Sequence, residues 1–241
     1  MRRKNKNEIP FGGGKLVLLI VLAMLTACSG KKSETSEPAA THQGFSFFDL
    51  DANSRYSDST RDALDQKLGS DAIAHSNTMD LTIRHDLFLK RYFPHLHELN
   101  LSLNWPPRER VEHHTTKLMY RYAQKQGVPF RYVELFFSDY TQKPLFFRIL
   151  AGPDGAPVLD SIKEKYGPPK EIEAQAQEGK IIFWQKDKDV FLVLASKDRY
   201  DHPEFTFCIY YVANLEQLLN TEKQERQAKA EKIRKAGKSA F

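Results

Sequence analysis

From Phe45 onward, apolar positions recur first at helical spacing, then in alternation, and at the end of the chain at helical spacing again. Ala63, Leu64 and Leu68 share one side of a helix for which Ser59 stands as N-cap, Asp62 as third residue and Gly69 as stop. Thr78 to Ile83 alternates, with Met79, Leu81 and Ile83 on one face, and predicts a short strand. Asp86 can cap a helix carrying Leu87, Phe88 and Phe93, and Pro94 restarts it ahead of Leu96, Leu99 and Leu103. Trp105-Pro106-Pro107 breaks that pattern. From Arg108 to Gln126, Val111, Thr115, Leu118 and Tyr122 form a helical stripe that ends at Gly127-Val128-Pro129. This stop signal favours helix over strand despite Thr115, Thr116, Tyr120 and Tyr122.

After Phe130 the pattern turns to strands. Phe130 to Ser138 and Leu145 to Ala151 are apolar on both faces, which places them centrally in a sheet. Val158, Ile162 and Tyr166 then mark a helix that stops at Gly167-Pro168-Pro169. Lys180 to Lys186, Val190 to Ser196 and Phe205 to Val212 follow as three strands, the first two joined by a tight charged turn. Strands in runs, without βαβ alternation, predict an α+β fold: a mainly antiparallel sheet with flanking helices. The expected organisation is one domain over 45–214, helix-rich over 45–128 and sheet-rich over 129–214, followed by a charged helical tail over 215–241. Asp62 to Gly69 echoes Asp160 to Gly167 at Asp, Lys and Gly, but helix-stop chemistry alone favours such matches, so no duplication is built on it.

The first 27 residues have a different character. Arg2, Arg3, Lys4, Lys6 and Lys15 precede an apolar run from Leu16 to Ala27, which is too short to span a bilayer and reads as a secretory signal. Leu25-Thr26-Ala27-Cys28 resembles the lipobox of bacterial lipoproteins. That resemblance covers only the first thirty positions and implies cleavage before Cys28, with a covalent lipid on its thiol; two or three acyl chains would anchor it stably. Ser29, in place of an aspartate, implies an outer-membrane destination facing the periplasm where the source has two membranes. Residues 28–44 form a polar tether, whose flexible coil would span about 20–25 Å on average.

Removing the signal changes the charge argument. The chain's net +5 includes five cations and one carboxylate in the first 27 residues, so the mature protein carries about +1. No overall basicity then points to nucleic acid. With Cys28 lipidated, Cys208 is alone, which excludes a disulfide framework; its aromatic surroundings favour a buried, inert thiol. Locally, residues 222–238 set seven cations against three carboxylates, a positive tail suited to anionic headgroups or cell-wall polymers.

Candidate chemistry is sparse. Asp49, Asp51 and Asn53 have the spacing that opens a calcium loop, but Ser54 replaces the turn glycine and Thr60 the closing glutamate. His75, His85, His95, His97, His113 and His114 crowd one region, yet no pair has the i, i+4 spacing of a helical zinc site. Glu98 and Glu112 have no feature that marks them as general bases. The last strand can offer Tyr210, together with Trp184 or Tyr132, as a partner surface, and Lys229, Lys232 and Lys235 lie in the positive tail. The sequence favours a lipid-anchored envelope protein that acts by binding, as a non-catalytic accessory of an envelope complex, with no cofactor beyond the lipid on Cys28. The alternatives are a metal-assisted hydrolase using region 75–114 and a periplasmic carrier of small ligands or lipid.

Overall fold

The structure, a computed structural model, describes residues 44–83, 86–173 and 179–240. The expected signal, Cys28 and the expected tether up to residue 43 lie outside them. The elements are α1 (Asp58–Leu68), β1 (Ala72–Asn77), α2 (Asp86–Tyr92), α3 (Pro94–Leu103) and β2 (His113–Tyr120), then a 3-10 turn (Ala123–Gln126), β3 (Phe130–Ser138) and β4 (Pro144–Ala151). They continue with α4 (Gly155–Tyr166), β5 (Lys170–Glu173), β6 (Lys180–Lys186), β7 (Asp189–Lys197), β8 (Pro203–Tyr210) and α5 (Val212–Ala240).

Among the described residues, all eight strands form one antiparallel sheet in the order β1-β2-β3-β4-β8-β7-β6-β5. The fold is α+β, with helices flanking the sheet. The strand order divides into two meanders, each preceded by a helix: α1 leads into β1–β4 and α4 into β5–β8, and the two inner strands meet at β4–β8. Gly69 and Gly167 close the leading helices in nearly the same conformation, φ 84, ψ −170 and φ 81, ψ −168. Each glycine precedes an edge strand by three residues. The echo between Asp62–Gly69 and Asp160–Gly167 therefore falls on topologically equivalent places. The units differ most between their first two strands, where the first carries residues 78–112 with α2 and α3, and the second only 174–179.

Each face of the sheet has its own core. On one face Leu64 and Leu68 of α1, with Phe45 and Tyr211, pack on Leu118, Val133, Phe147, Ile149 and Phe207. On the other, Met79, Leu81, Phe88, Leu96, Leu99 and Leu103, with Leu215 and Leu218 of α5, cover Phe136, Phe146, Leu192 and Tyr210.

Four local expectations need correction. The N-cap of α1 is Ser57 instead of Ser59; its side chain accepts the Thr60 N–H at 3.2 Å. Arg108 to Gln126 is not a helix. Its centre is β2, buried at Thr115, Thr116, Leu118 and Tyr120 and paired on both sides, by Ala72↔Met119 to β1 and Leu118↔Leu135 to β3. A ladder on each side and a run rich in β-branched and aromatic residues outweigh the stripe spacing. The stop signal belongs to the short 3-10 turn, where Gly127 is left-handed at φ 80.

Thr78 to Ile83 buries Met79 and Leu81 completely but pairs with no strand. Side chains replace the ladder: Asn100 accepts the Leu81 N–H (2.9 Å), while Tyr210 donates to the Leu81 carbonyl (3.0 Å) and Arg148 to those of Asp80 (2.8 Å) and Thr82 (2.9 Å). The strands that the pattern does not reveal, β1 and β5, are the short polar edges, where little apolar alternation is needed. Because β1 and β2 belong to the same sheet as the rest, the stretch 45–128, with three of the five α-helices among the described residues, and the stretch 129–214, with six of the eight strands, build one sheet together.

At the start of α4, a Cβ on Gly155 would lie 2.6–2.9 Å from Phe205 ring and Cβ atoms. Gly→Ala in a helix ordinarily stabilises by up to about 1 kcal/mol. At Gly155 the sign is expected to reverse, with Gly155→Ala costing about 1–3 kcal/mol in urea unfolding.

Candidate functional site

The feature that most distinguishes this surface is α5, which is fixed to the domain over its first eleven residues and leaves it afterwards. Asp189, at the start of β7, accepts the Val212 N–H at 2.9 Å and so caps the helix. Burial pushes that carboxyl up to about 6, against the opposing pull of the Val212 and Ala213 N–H groups. Asn214 donates from one amide to the carbonyls of Ala52 (2.9 Å) and Pro144 (2.8 Å), joining the helix to the amino-terminal segment and to β4. Leu215 and Leu218 enter the core, and Glu222 is the last buried residue of the helix.

Glu222 reaches the start of β2. Its Oε2 lies 2.8 Å from His113 Nδ1, and its Oε1 accepts the His114 N–H at 3.1 Å. The other nitrogen of His113, Nε2, lies 2.8 Å from the Leu103 carbonyl at the end of α3. Both His113 nitrogens thus face oxygens, so making both bonds requires both nitrogens to carry hydrogen while Glu222 is ionised. One imidazole thereby ties α3, β2 and α5 together. His113 and Glu222 are only 2% and 5% exposed. Burial pushes the Glu222 carboxyl up, but the bond from His113, its charge, the His114 N–H and Arg226 outweigh burial and hold it below the usual glutamate range.

Beyond this clamp, residues 223–239 are all exposed, about 26 Å of helix at 1.5 Å per residue. They carry Lys223, Arg226, Lys229, Lys232, Arg234, Lys235 and Lys238 against Glu225 and Glu231, a net +5. At 100° per residue these cations surround the axis, and Ile233, 64% exposed, is the extension's large apolar side chain among the described residues. Two contacts steady it: Tyr140 donates to Glu225 at 2.6 Å, and Lys235 pairs with Glu231 at 2.8 Å. At its root, Glu112, His114, Glu222, Glu225, Arg226 and Lys229 line a polar concavity of about 310 Å³.

The other expected sites are dispersed. Tyr210 is fully buried, and Trp184, 6% exposed, donates to the Gly167 carbonyl at 2.8 Å; the two belong to opposite cores and form no common partner surface. Tyr132 is half-buried and donates to Glu134 at 3.3 Å. Lys229, Lys232 and Lys235 are exposed on α5. At the calcium-like segment, Asp51 Oδ1 accepts from the backbone of Asn53 (2.9 Å) and Ser54 (3.0 Å) and from the Ser54 hydroxyl (3.1 Å), a turn-forming arrangement. Asp49 sits at φ 67 in the adjoining turn.

His75 hydrogen-bonds Thr116 (3.1 Å), His95 lies 3.4 Å from Glu216, and His114 packs edge-on to Tyr140. His85 lies outside the described residues. Among the described residues no three His, Cys, Asp or Glu side chains gather to hold a metal ion. Cys208 is fully buried, and burial pushes its thiol up to about 11. No protein-family model, curated protein or solved structure matches this chain.

Glu222→Ala breaks a buried pair and is expected to cost about 3–5 kcal/mol at pH 7 in urea unfolding. The exposed control Glu225→Ala should cost about 1 kcal/mol or less. Because the folded-state value of Glu222 is depressed, its contribution is complete above the ordinary glutamate range and is lost as pH falls through the folded value. The difference between wild type and Glu222→Ala should therefore shrink below about pH 4.

Proposed function

We propose that this is a lipid-anchored cell-envelope protein that acts by binding, with Cys28 holding the domain at a membrane and the α5 extension contacting a phosphate-rich anionic surface beside it. The observation that carries this reading is the run of seventeen consecutive exposed residues with net +5, held at its root by a buried clamp. A helix of this length without a packed apolar face is marginal by itself in water. A cationic circumference without an apolar stripe suits headgroups or anionic polymers better than a hydrophobic groove. In this role the protein serves as a non-catalytic accessory of the envelope, on the periplasmic side of the outer membrane where two membranes exist.

Cell fractionation separates the two attachments. Wild type is expected in the membrane fraction at any salt concentration. Cys28→Ala, made behind an exchanged, cleavable secretory signal so that the apolar run Leu16–Ala27 is absent, should be held only by α5 and released by about 0.5 M salt, at which screening shortens to a few ångström. Adding Lys229→Gln, Lys232→Gln and Lys235→Gln to Cys28→Ala should lower the membrane partition at low salt by about 100-fold, at roughly 1 kcal/mol for each lysine. Salt-resistant retention of Cys28→Ala, or no effect of the three lysine changes, contradicts the reading.

A further inference from the structure

The two leading helices occupy equivalent places in their units but do not pack equally. Leu64 and Leu68 of α1 are 3% and 1% exposed, whereas their counterparts on α4, Ile162 and Tyr166, are half-buried, as is Val158 one turn earlier. α4 is pinned at both ends. Gly155 abuts Phe205, and the Tyr166 ring meets Phe45 and Phe191 edge-on at 5.3 and 5.9 Å. Between these points Leu159, 7% exposed, reaches the core, and beside it the helix overlies a cavity of about 220 Å³, floored by Ile149, Phe207 and Ile209 and walled by Val158 and Ile162.

The amino-terminal strap closes one side of this cavity. Phe47 and Leu50 exchange two backbone hydrogen bonds of 3.0 Å around a two-residue turn in which Phe48 (φ 46) and Asp49 (φ 67) are both left-handed. Asn-Gly forms such a turn without strain. A bulky Phe in that region persists only where its surroundings over-determine it. Here Phe47 and Phe130 hold the Phe48 ring at 4.6 and 6.2 Å, and Lys67 lies over it at 4.9 Å, so that strained backbone keeps an aromatic rim on the cavity.

The mouth is polar in one place. Lys165 is exposed there, donates to the Ser46 hydroxyl at 2.9 Å and, among the described residues, has no carboxylate partner. The Ser46 N–H in turn donates to the Tyr166 hydroxyl at 3.0 Å. An apolar depth with a single ammonium at its lip matches an amphiphile with one chain and an anionic head. An apolar cavity of about 150 Å³ already accommodates benzene, so this larger one has room for the terminal part of an alkyl chain, with the remainder leaving by the mouth.

We propose that the cavity between α4 and the sheet binds the end of a single acyl chain whose anionic head group lies against Lys165. This inference depends neither on the lipid at Cys28 nor on the α5 extension. The test is photolabelling of the full chain in its own membrane with a diazirine-bearing dodecanoic acid, with adducts located by peptide mass spectrometry. Adducts are expected on the strap around 46–48, on α4 over 158–165 and on β8 around 207–209. Competing fatty acids should strengthen by up to about fourfold for each added methylene until the cavity is full.

Ile162→Trp should abolish the labelling by filling the cavity. Ser161→Trp, at an exposed position on the rim, should do the same without entering the core, which separates blockage from misfolding. Lys165→Gln should weaken competition by decanoate about two- to fivefold and leave decanol unchanged. Adducts scattered over the surface, or labelling that survives both tryptophan variants, would overturn the site. An equal effect of Lys165→Gln on decanoate and decanol would overturn the anionic head.

Discussion

The arrangement of this surface depends on one buried imidazole. His113 stands at the start of β2, takes its neighbours from the end of α3 and from α5, and is nearly inaccessible to water. Without it, the Leu103 carbonyl and the Glu222 carboxylate would each lose a partner in the interior, a cost well above that of an exposed pair. The clamp also fixes where α5 stops being part of the domain. Apolar packing and a capped amino terminus hold the helix up to Glu222, and every described side chain from Lys223 to Ser239 faces solvent. A wholly detached charged tail would bring the same charges, but the clamp presents them from a fixed root.

The sheet supplies the frame for that clamp. Two helix-plus-meander units meet at β4–β8, and each uses a glycine in the same backbone conformation to turn from its helix toward an edge strand. Their differences mark the places open to specialisation. The insertion between β1 and β2 builds the second core and carries both Leu103 and the approach to His113. In the second unit, α4 buries Leu159 but leaves Val158, Ile162 and Tyr166 half-buried over a cavity, whereas α1 buries both Leu64 and Leu68.

Much of the fold was legible because burial leaves a local trace. The strands β3, β4, β6, β7 and β8, the stops at Gly69 and Gly167 and the docking leucines of α5 all follow from residues within one or two turns of each other. β2 is hidden because its stripe spacing imitates a helix, while its two ladders involve partners far along the chain. Met79 and Leu81 did signal burial, but side-chain hydrogen bonds from Asn100, Tyr210 and Arg148 take the place of a strand, and no periodicity reveals that. The positive tail and its lysines could be read directly. The His113–Glu222 pair could not, since 109 positions separate its members and neither has a motif around it. Trp184 and Tyr210 share aromatic character with a binding surface, yet the pleat sends them into opposite cores.

The claim on which this account rests is that α5 is two segments in one helix, one belonging to the domain and the other completed by an anionic surface. Amide hydrogen exchange of the full chain reconstituted in zwitterionic and in phosphatidylglycerol-containing bilayers tests it most directly. The account requires residues 212–222 to be protected in both, and 223–239 to exchange rapidly in the first and slowly in the second. Rapid exchange over 223–239 in both bilayers, with 212–222 still protected, would contradict it.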